Sequence, residues 1–212
     1  MLSRPATPPR MHSIWHVLSW LGDSRFLLPM ASVLIGIGLW HRKPWASPWS
    51  FGLMMTGLTT LATKIAFLGW GLGIARLDFT GLSGHAAMSA AVWPAACYVT
   101  MPDRSTAKWA AFFGLLFSTL IAYSRLPMNA HSWSEVAGGW SIGALASVTV
   151  VVASNAQSTY RLSTGMLPLS LAAGIGLSSA LPNVHTHEMV VQLAKSLAGI
   201  AKEFDRSALW RG

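Results

Sequence analysis

Residues 124–153 read SRLPMNAHSWSEVAGGWSIGALASVTVVVA. A short polar stretch, Ser124 to Ser134, runs straight into the apolar run Glu135–Ala153. That run is long enough to cross a bilayer core as a helix, which takes about 20 residues, or about 17 at the short end. Gly139 and Gly143 lie within it as a small-x3-small pair, a spacing that lets one membrane helix pack closely on another. The ionisable groups at its head, Arg125, His131 and Glu135, are costly near membrane depth and are functional candidates for that reason.

Working outward, five more segments qualify, some marginally: Phe26–Trp40, Pro48–Gly69, Ala86–Thr100, Lys108–Tyr123 and Met166–Leu181. The 212 residues are only 10% charged, with a mean hydropathy of +0.46. Soluble domains run at about 25% charged, so the expectation is an all-α polytopic membrane protein of about six transmembrane helices. Residues 26–181 form this domain, residues 1–25 an N-terminal tail with a short amphipathic segment at 11–22, and residues 182–212 a C-terminal amphipathic tail. In that tail Val190, Leu193, Leu197, Ile200 and Phe204 recur at helical spacing, as for a helix lying in the membrane interface. The basic stretch Met1 to Arg10 is not followed directly by the apolar core of a signal peptide. Trp40, Trp45, Trp49, Trp70, Trp109 and Trp133 sit at segment edges, where an aromatic belt is expected.

The net charge of +8 comes mostly from loops and tails. Membrane topology and anionic headgroups account for it, and nucleic acid is not expected as a partner. Positive-inside bias places 41–47, 101–107 and 154–165 in the cytoplasm, with 70–85 and 124–134 outside. The single Cys97 rules out an intramolecular disulfide. His12 with His16, and the run His185–Glu188, lack the further ligands a metal needs, so no metal is expected.

The chemistry gathers in two strings. Ser83-Gly84-His85 opens the third segment, where a helix N-terminus presents free N–H groups and partial positive charge to an anion, and Gly84 permits close backbone approach. The plainer alternative is a serine N-cap beside an interfacial histidine. In the second string, His131 and Glu135 share a face at the head of a helix, so the carboxylate can orient the imidazole. Ser132 to Glu135 also fits the S-x-x-E capping box, in which Glu135 merely caps the helix. Arg125 closes the fourth segment, where its guanidinium can grip two phosphate oxygens or simply snorkel to the interface.

Together these strings resemble the second and third signatures, roughly P-S-G-H and S-R-x5-H-x3-D, of the type 2 phosphatidic acid phosphatase superfamily. The resemblance covers about residues 60–150. It implies that His131 is a nucleophile forming a phosphohistidine, that Glu135, standing where Asp is usual, orients it, and that His85 protonates the leaving group. Ser83, the Gly84 amide and Arg125 would bind phosphate. The first signature, K-x6-R-P, is degenerate here. Lys64 is well placed as a phosphate ligand, but Gly71 stands where its arginine belongs. Arg76 is the nearest substitute, about 18 Å further along a straight helix unless the glycines at 69, 71 and 73 fold the chain back. Asp78 is an alternative, structural partner for Arg76.

The resulting expectation is a membrane-bound lipid phosphate or pyrophosphate phosphatase without a cofactor. Its substrate would be a headgroup phosphate of phosphatidic acid, phosphatidylglycerol phosphate or undecaprenyl pyrophosphate, and its site would face the periplasm of a bacterial inner membrane. The alternative is a catalytically silent member that binds or transports a phospholipid.

Overall fold

A computed structural model describes residues 9–155, 162–180 and 186–210. Residues 1–8, Arg161, Leu181 and His185, with the side chain of His12, lie outside the described residues, and so does what was expected of them. The described chain folds into α1 (Pro9–Trp20), α2 (Ser24–Trp40), α3 (Ala46–Trp70), α4 (Gly84–Thr100), α5 (Arg104–Ser124), α6 (Trp133–Asn155), α7 (Met166–Ala180) and α8 (Thr186–Ala198). Short 3₁₀ turns follow at Ala75–Leu77 and Arg206–Trp210. Each of the six expected segments is a helix, α2 to α7, with ends shifted by a few residues. Four stretches, Ile14–Trp40, Ala46–Trp70, Arg104–Ser124 and Trp133–Ser154, are long and apolar enough to cross a membrane. The other two helices are shorter, with 17 residues in α4 and 15 in α7.

Across α4 and α5 the order of burial is that of a membrane bundle: mostly small residues inside, large apolar ones outside. Nearly every residue of α4 from Ala86 to Thr100 is buried, while Trp109, Phe112, Phe113, Leu116 and Leu120 form an exposed stripe on α5. Without a water-driven force between helices in lipid, close backbone approach and dispersion hold such an interior together. Here α4 is gripped from both sides through missing β-carbons. A Cβ at Gly114 would stand 2.9 Å from the Pro94 Cα, and one at Gly139 2.6 Å from the Ser83 carbonyl oxygen. At Gly143 it would fall 2.0 Å from the Ala87 carbonyl oxygen, against backbone that no rotamer change can move aside. Gly143→Ala should therefore push α6 off α4 and destabilise the fold by about 1–3 kcal/mol, the usual range for overpacking. A lowered thermal midpoint in detergent checks this, and an unchanged midpoint would mean that the two helices can slide apart freely.

Two of the belt tryptophans belong to the interior instead. Trp45 and Trp49 are 1% and 0% exposed, whereas Trp40, Trp70, Trp109 and Trp133 are exposed as expected. The Trp45 ring fills the notch that Gly38 leaves open, and the Trp49 indole N–H donates to the Ala91 carbonyl at 3.0 Å. Packing against Gly38 buries the Trp45 ring although its Nε1 finds no acceptor among the described residues, whereas α4 supplies one to Trp49.

The C-terminal helix is shorter than its apolar repeat implies. Gly199 adopts a left-handed φ of +67° and ends α8, so Ile200 and Phe204 leave the helical register. On α8, Met189, Leu193 and Leu197 face outward. Its opposite side meets α3, where Gly69 lets the backbone approach Ala194. Beyond Gly199 the chain turns back over the end of α3, held there by the Phe204 N–H donating to the Leu68 carbonyl at 2.9 Å.

Candidate active site

The start of α2, much of α3, the start of α4, Arg125 just after α5, the loop before α6, the start of α8 and tail residues 203–206 all line one cavity of about 870 Å³. Alternating helix direction brings both histidine strings to this same end of the bundle. Ser83 caps α4, its hydroxyl accepting from the Ala86 N–H at 3.5 Å. Its own N–H donates to the Glu135 carbonyl at 3.0 Å, so a backbone bond ties the two strings together. A Cβ at Gly84 would meet nothing nearer than Thr60 Cγ2 at 3.7 Å, so packing does not demand glycine there. The space it leaves opens on the cavity. His85 lines that cavity and has no hydrogen-bond partner among the described residues.

The loop before α6 presents His131. Its Nδ1 lies 2.7 Å from Glu135 Oε2, and the Glu135 side chain is wholly buried. An ionised carboxylate only accepts, so Nδ1 carries the proton and Nε2 keeps its lone pair. Burial pulls the His131 imidazole below its ordinary pKa, against the opposing pull of the Glu135 hydrogen bond. The neutral, attacking form is thus the resting one at neutral pH. The capping alternative is present as well. The Ser132 N–H donates to Glu135 Oε2 at 3.1 Å, and the Glu135 N–H to the Ser132 hydroxyl at 3.4 Å. One carboxylate both closes the capping box and holds the imidazole.

The cations divide into two groups. Lys64 and Arg125 line the cavity with the histidines. Lys64 has no ion-pair partner among the described residues. Arg125 donates through Nη1 to the Ser19 hydroxyl of α1, while its buried Nε has no partner among the described residues. The Thr60 hydroxyl on the cavity wall is likewise buried and unpaired. Buried donors without acceptors are rare, and two of the three among the described residues, Thr60 and Arg125, lie on the cavity, where an anion would supply the missing acceptor; the third, Trp45 Nε1, is in the core.

Arg76 is not brought to the site. Gly71 ends α3 in a left-handed conformation, and the Ile74–Phe79 bridge pinches the following residues into a tight turn. Arg76 sits exposed at its tip and does not line the cavity. Asp78 has a different arginine: Arg206, from the far end of the chain, contacts its Oδ2 through Nη1 at 2.7 Å. The same guanidinium places Nη2 at 2.9 Å from both Glu135 oxygens. Thr80 adds its N–H at 2.7 Å and its hydroxyl at 2.5 Å to Glu135 Oε1. Neither residue was anticipated. Thr80 lies just upstream of the Ser83-Gly84-His85 string, but Arg206 carries no local signal.

Away from its charged end the cavity is apolar. Leu53, Met54, Leu58 and Leu61 of α3 line it along with Lys64. From Leu53 to Lys64 the helix rises about 16 Å, enough to lie along part of an alkyl chain.

The family model of the PAP2 superfamily matches residues 30–160. The chain is 33% identical over 202 residues to an uncharacterized 22.5 kDa protein in the cps region of Klebsiella pneumoniae, covering 92% of this chain and 97% of that protein. It is 29% identical over 151 residues to phosphatidylglycerophosphatase B of Bacillus subtilis (strain 168), covering 65% of this chain and 72% of that protein. No solved structure matches.

Proposed function

This chain belongs to the PAP2 superfamily, whose members are phosphatases, and from that premise we propose that it hydrolyses a lipid phosphate or pyrophosphate through a phosphohistidine on His131. The observation that carries this reading is the 2.7 Å contact between His131 Nδ1 and Glu135 in a cavity shared with His85, Lys64 and Arg125. In the proposed cycle His131 Nε2 attacks phosphorus and the bond to the leaving oxygen breaks. His85 gives that oxygen its proton and then takes one from water. The water oxygen attacks phosphorus, the P–N bond breaks, and phosphate leaves with His131 neutral again. Lys64, Arg125, Ser83 and the Gly84 amide hold the equatorial oxygens, whose charge grows in the transition state.

The apolar wall of the cavity favours a lipid ester over a soluble one. Phosphatidic acid, phosphatidylglycerol phosphate and undecaprenyl pyrophosphate all present a terminal phosphate on an apolar chain. The name of the Bacillus subtilis relative favours the second. Both relatives are bacterial, and with the positive-inside bias this supports an inner-membrane protein whose site faces the periplasm. The detergent-purified protein, without added metal, is expected to release phosphate from at least one of these three lipids. Release from none of them by folded protein would favour a silent, lipid-binding member.

The depressed pKa of His131 also sets a pH expectation. The nucleophile must be unprotonated, so kcat/KM should rise with pH through the folded pKa of His131. That acid limb should lie below the ordinary histidine value of about 6.5. A pH–rate profile with its acid midpoint above 7 would contradict the assignment.

A further inference from the structure

Arg206 meets Glu135 across 71 positions of sequence, and nothing in the family resemblance calls for it. We propose that the C-terminal segment is a working part of the active site, with Arg206 as the positioning residue that holds the His131–Glu135 pair. The inference rests on the phosphatase reading of that pair.

The geometry of the carboxylate carries it. Glu135 Oε2 is shared by His131 Nδ1, the Ser132 N–H and Arg206 Nη2, while Oε1 is shared by both donors of Thr80 and the same Nη2. Arg206 is the cation in direct contact with this wholly buried charge. A buried carboxylate without a countercharge is costly, and a guanidinium touching both oxygens also fixes the plane of the group. That plane determines where the imidazole points.

Arg206 is itself held from three directions. Its Nη1 donates to the Asp78 carbonyl at 3.0 Å as well as to the side chain, and Asp78 adopts a left-handed φ of +48°. Phe204 is tethered to Leu68, and the Leu209 side chain packs so tightly over Gly73 that a Cβ there would lie 2.4 Å from it. Arg206 lines the same cavity, but its Nη1 and Nη2 donors are engaged by Asp78, Thr80 and Glu135, so it acts through Glu135.

A staple that only joined loop to tail would leave the imidazole's titration alone, which separates the two roles. The other charged and titratable groups around the pair are Lys64 from α3, His85 from α4, Arg125 after α5, His187 from α8 and Glu203 and Asp205 from the tail, all lining the same cavity, with Asp78 on Arg206 from the preceding loop. Removing Arg206 subtracts one positive charge and frees the Glu135 oxygens for His131, so the imidazolium gains stability.

In full-length, detergent-purified protein, Arg206→Ala should lower kcat about 10–100-fold, as for loss of a partner that orients a functional histidine. KM should stay within about twofold, and the acid limb should move to higher pH. Arg206→Lys should restore the limb, because the charge returns, but only part of kcat, because an ammonium lacks the fork. Asp78→Asn, which removes the ion pair to Arg206 but keeps the Asp78 carbonyl and Glu135 contacts, should lower turnover by less than Arg206→Ala does. An Arg206→Ala enzyme with turnover within about twofold and an unmoved limb would overturn the inference, as would an Asp78→Asn loss equal to that of Arg206→Ala. If Arg206→Ala does not fold, Arg206→Gln takes its place under the same criteria. If the wild type releases no phosphate from any lipid, the phosphatase reading fails separately. The His131 midpoint, followed by NMR of ring-labelled histidine, then decides: a rise in the variant supports Arg206 holding the pair, and an unchanged midpoint overturns it.

Discussion

Phosphate release is expected to fall by on the order of 10⁴-fold or more in His131→Ala, a loss of ~5 kcal/mol of transition-state stabilisation and the scale seen when a covalent nucleophile is removed. No other group in the cavity is held for attack as His131 is by Glu135. Lys64 and Arg125 are cationic, and the Ser83 hydroxyl is turned to the Ala86 N–H. His85 is needed as the proton donor, and His187, which also lines the cavity, has no carboxylate partner among the described residues. The variant should still fold and bind substrate, since the Lys64 and Arg125 cations and the apolar wall are untouched. Radiolabelled substrate, quenched in alkali, should leave phosphate on wild-type protein but none on His131→Ala, because phosphohistidine survives base and is lost in acid. A variant retaining more than about a tenth of wild-type turnover would remove His131 from the nucleophile's role.

The legible parts of this molecule are those written in contiguous residues. Six apolar runs appear as α2 to α7 because a span in lipid must satisfy its backbone within itself, so length and composition suffice to mark it. Ser83, Gly84, His85, Arg125, His131 and Glu135 gather at one end of the bundle because each string straddles a helix end, and helix ends meet where direction alternates. Lys64 joins them from the last turns of α3. Arg76 fails for a local reason: the Gly71 cap sends the chain into a tight turn whose tip faces away. Arg206 was illegible for the opposite reason, since its place depends on a fold-back after Gly199 that no helical periodicity records. Trp45 and Trp49 show a further limit. An indole at a segment edge serves belt and core equally well, and what decides between them is the notch at Gly38, across a turn, and the Ala91 carbonyl, 42 positions away.

Glu135→Gln separates the two roles that one carboxylate holds. Glutamine satisfies the S-x-x-E/Q capping box as glutamate does, so α6 should keep its first turn and the protein should fold. The amide nevertheless loses three things at once. It carries no charge to stabilise His131 as the cation that develops on attack. It offers one oxygen where six donor contacts now converge on two. Its NH₂ group must also face Arg206 together with either the Thr80 donors or the His131 and Ser132 donors. With the imidazole free to take the wrong tautomer, kcat should drop by about 10²–10⁴-fold, the scale of the comparable Asp-to-Asn change in a histidine-based triad. Arg206, its side chain 38% exposed, can turn toward water and so limit the loss of stability. A Glu135→Gln enzyme within about fivefold of wild type would mean that the carboxylate is only a helix cap and that His131 is oriented by something else. A large loss of kcat with an unchanged thermal midpoint would place Glu135 in the chemistry, its cap contributing only position.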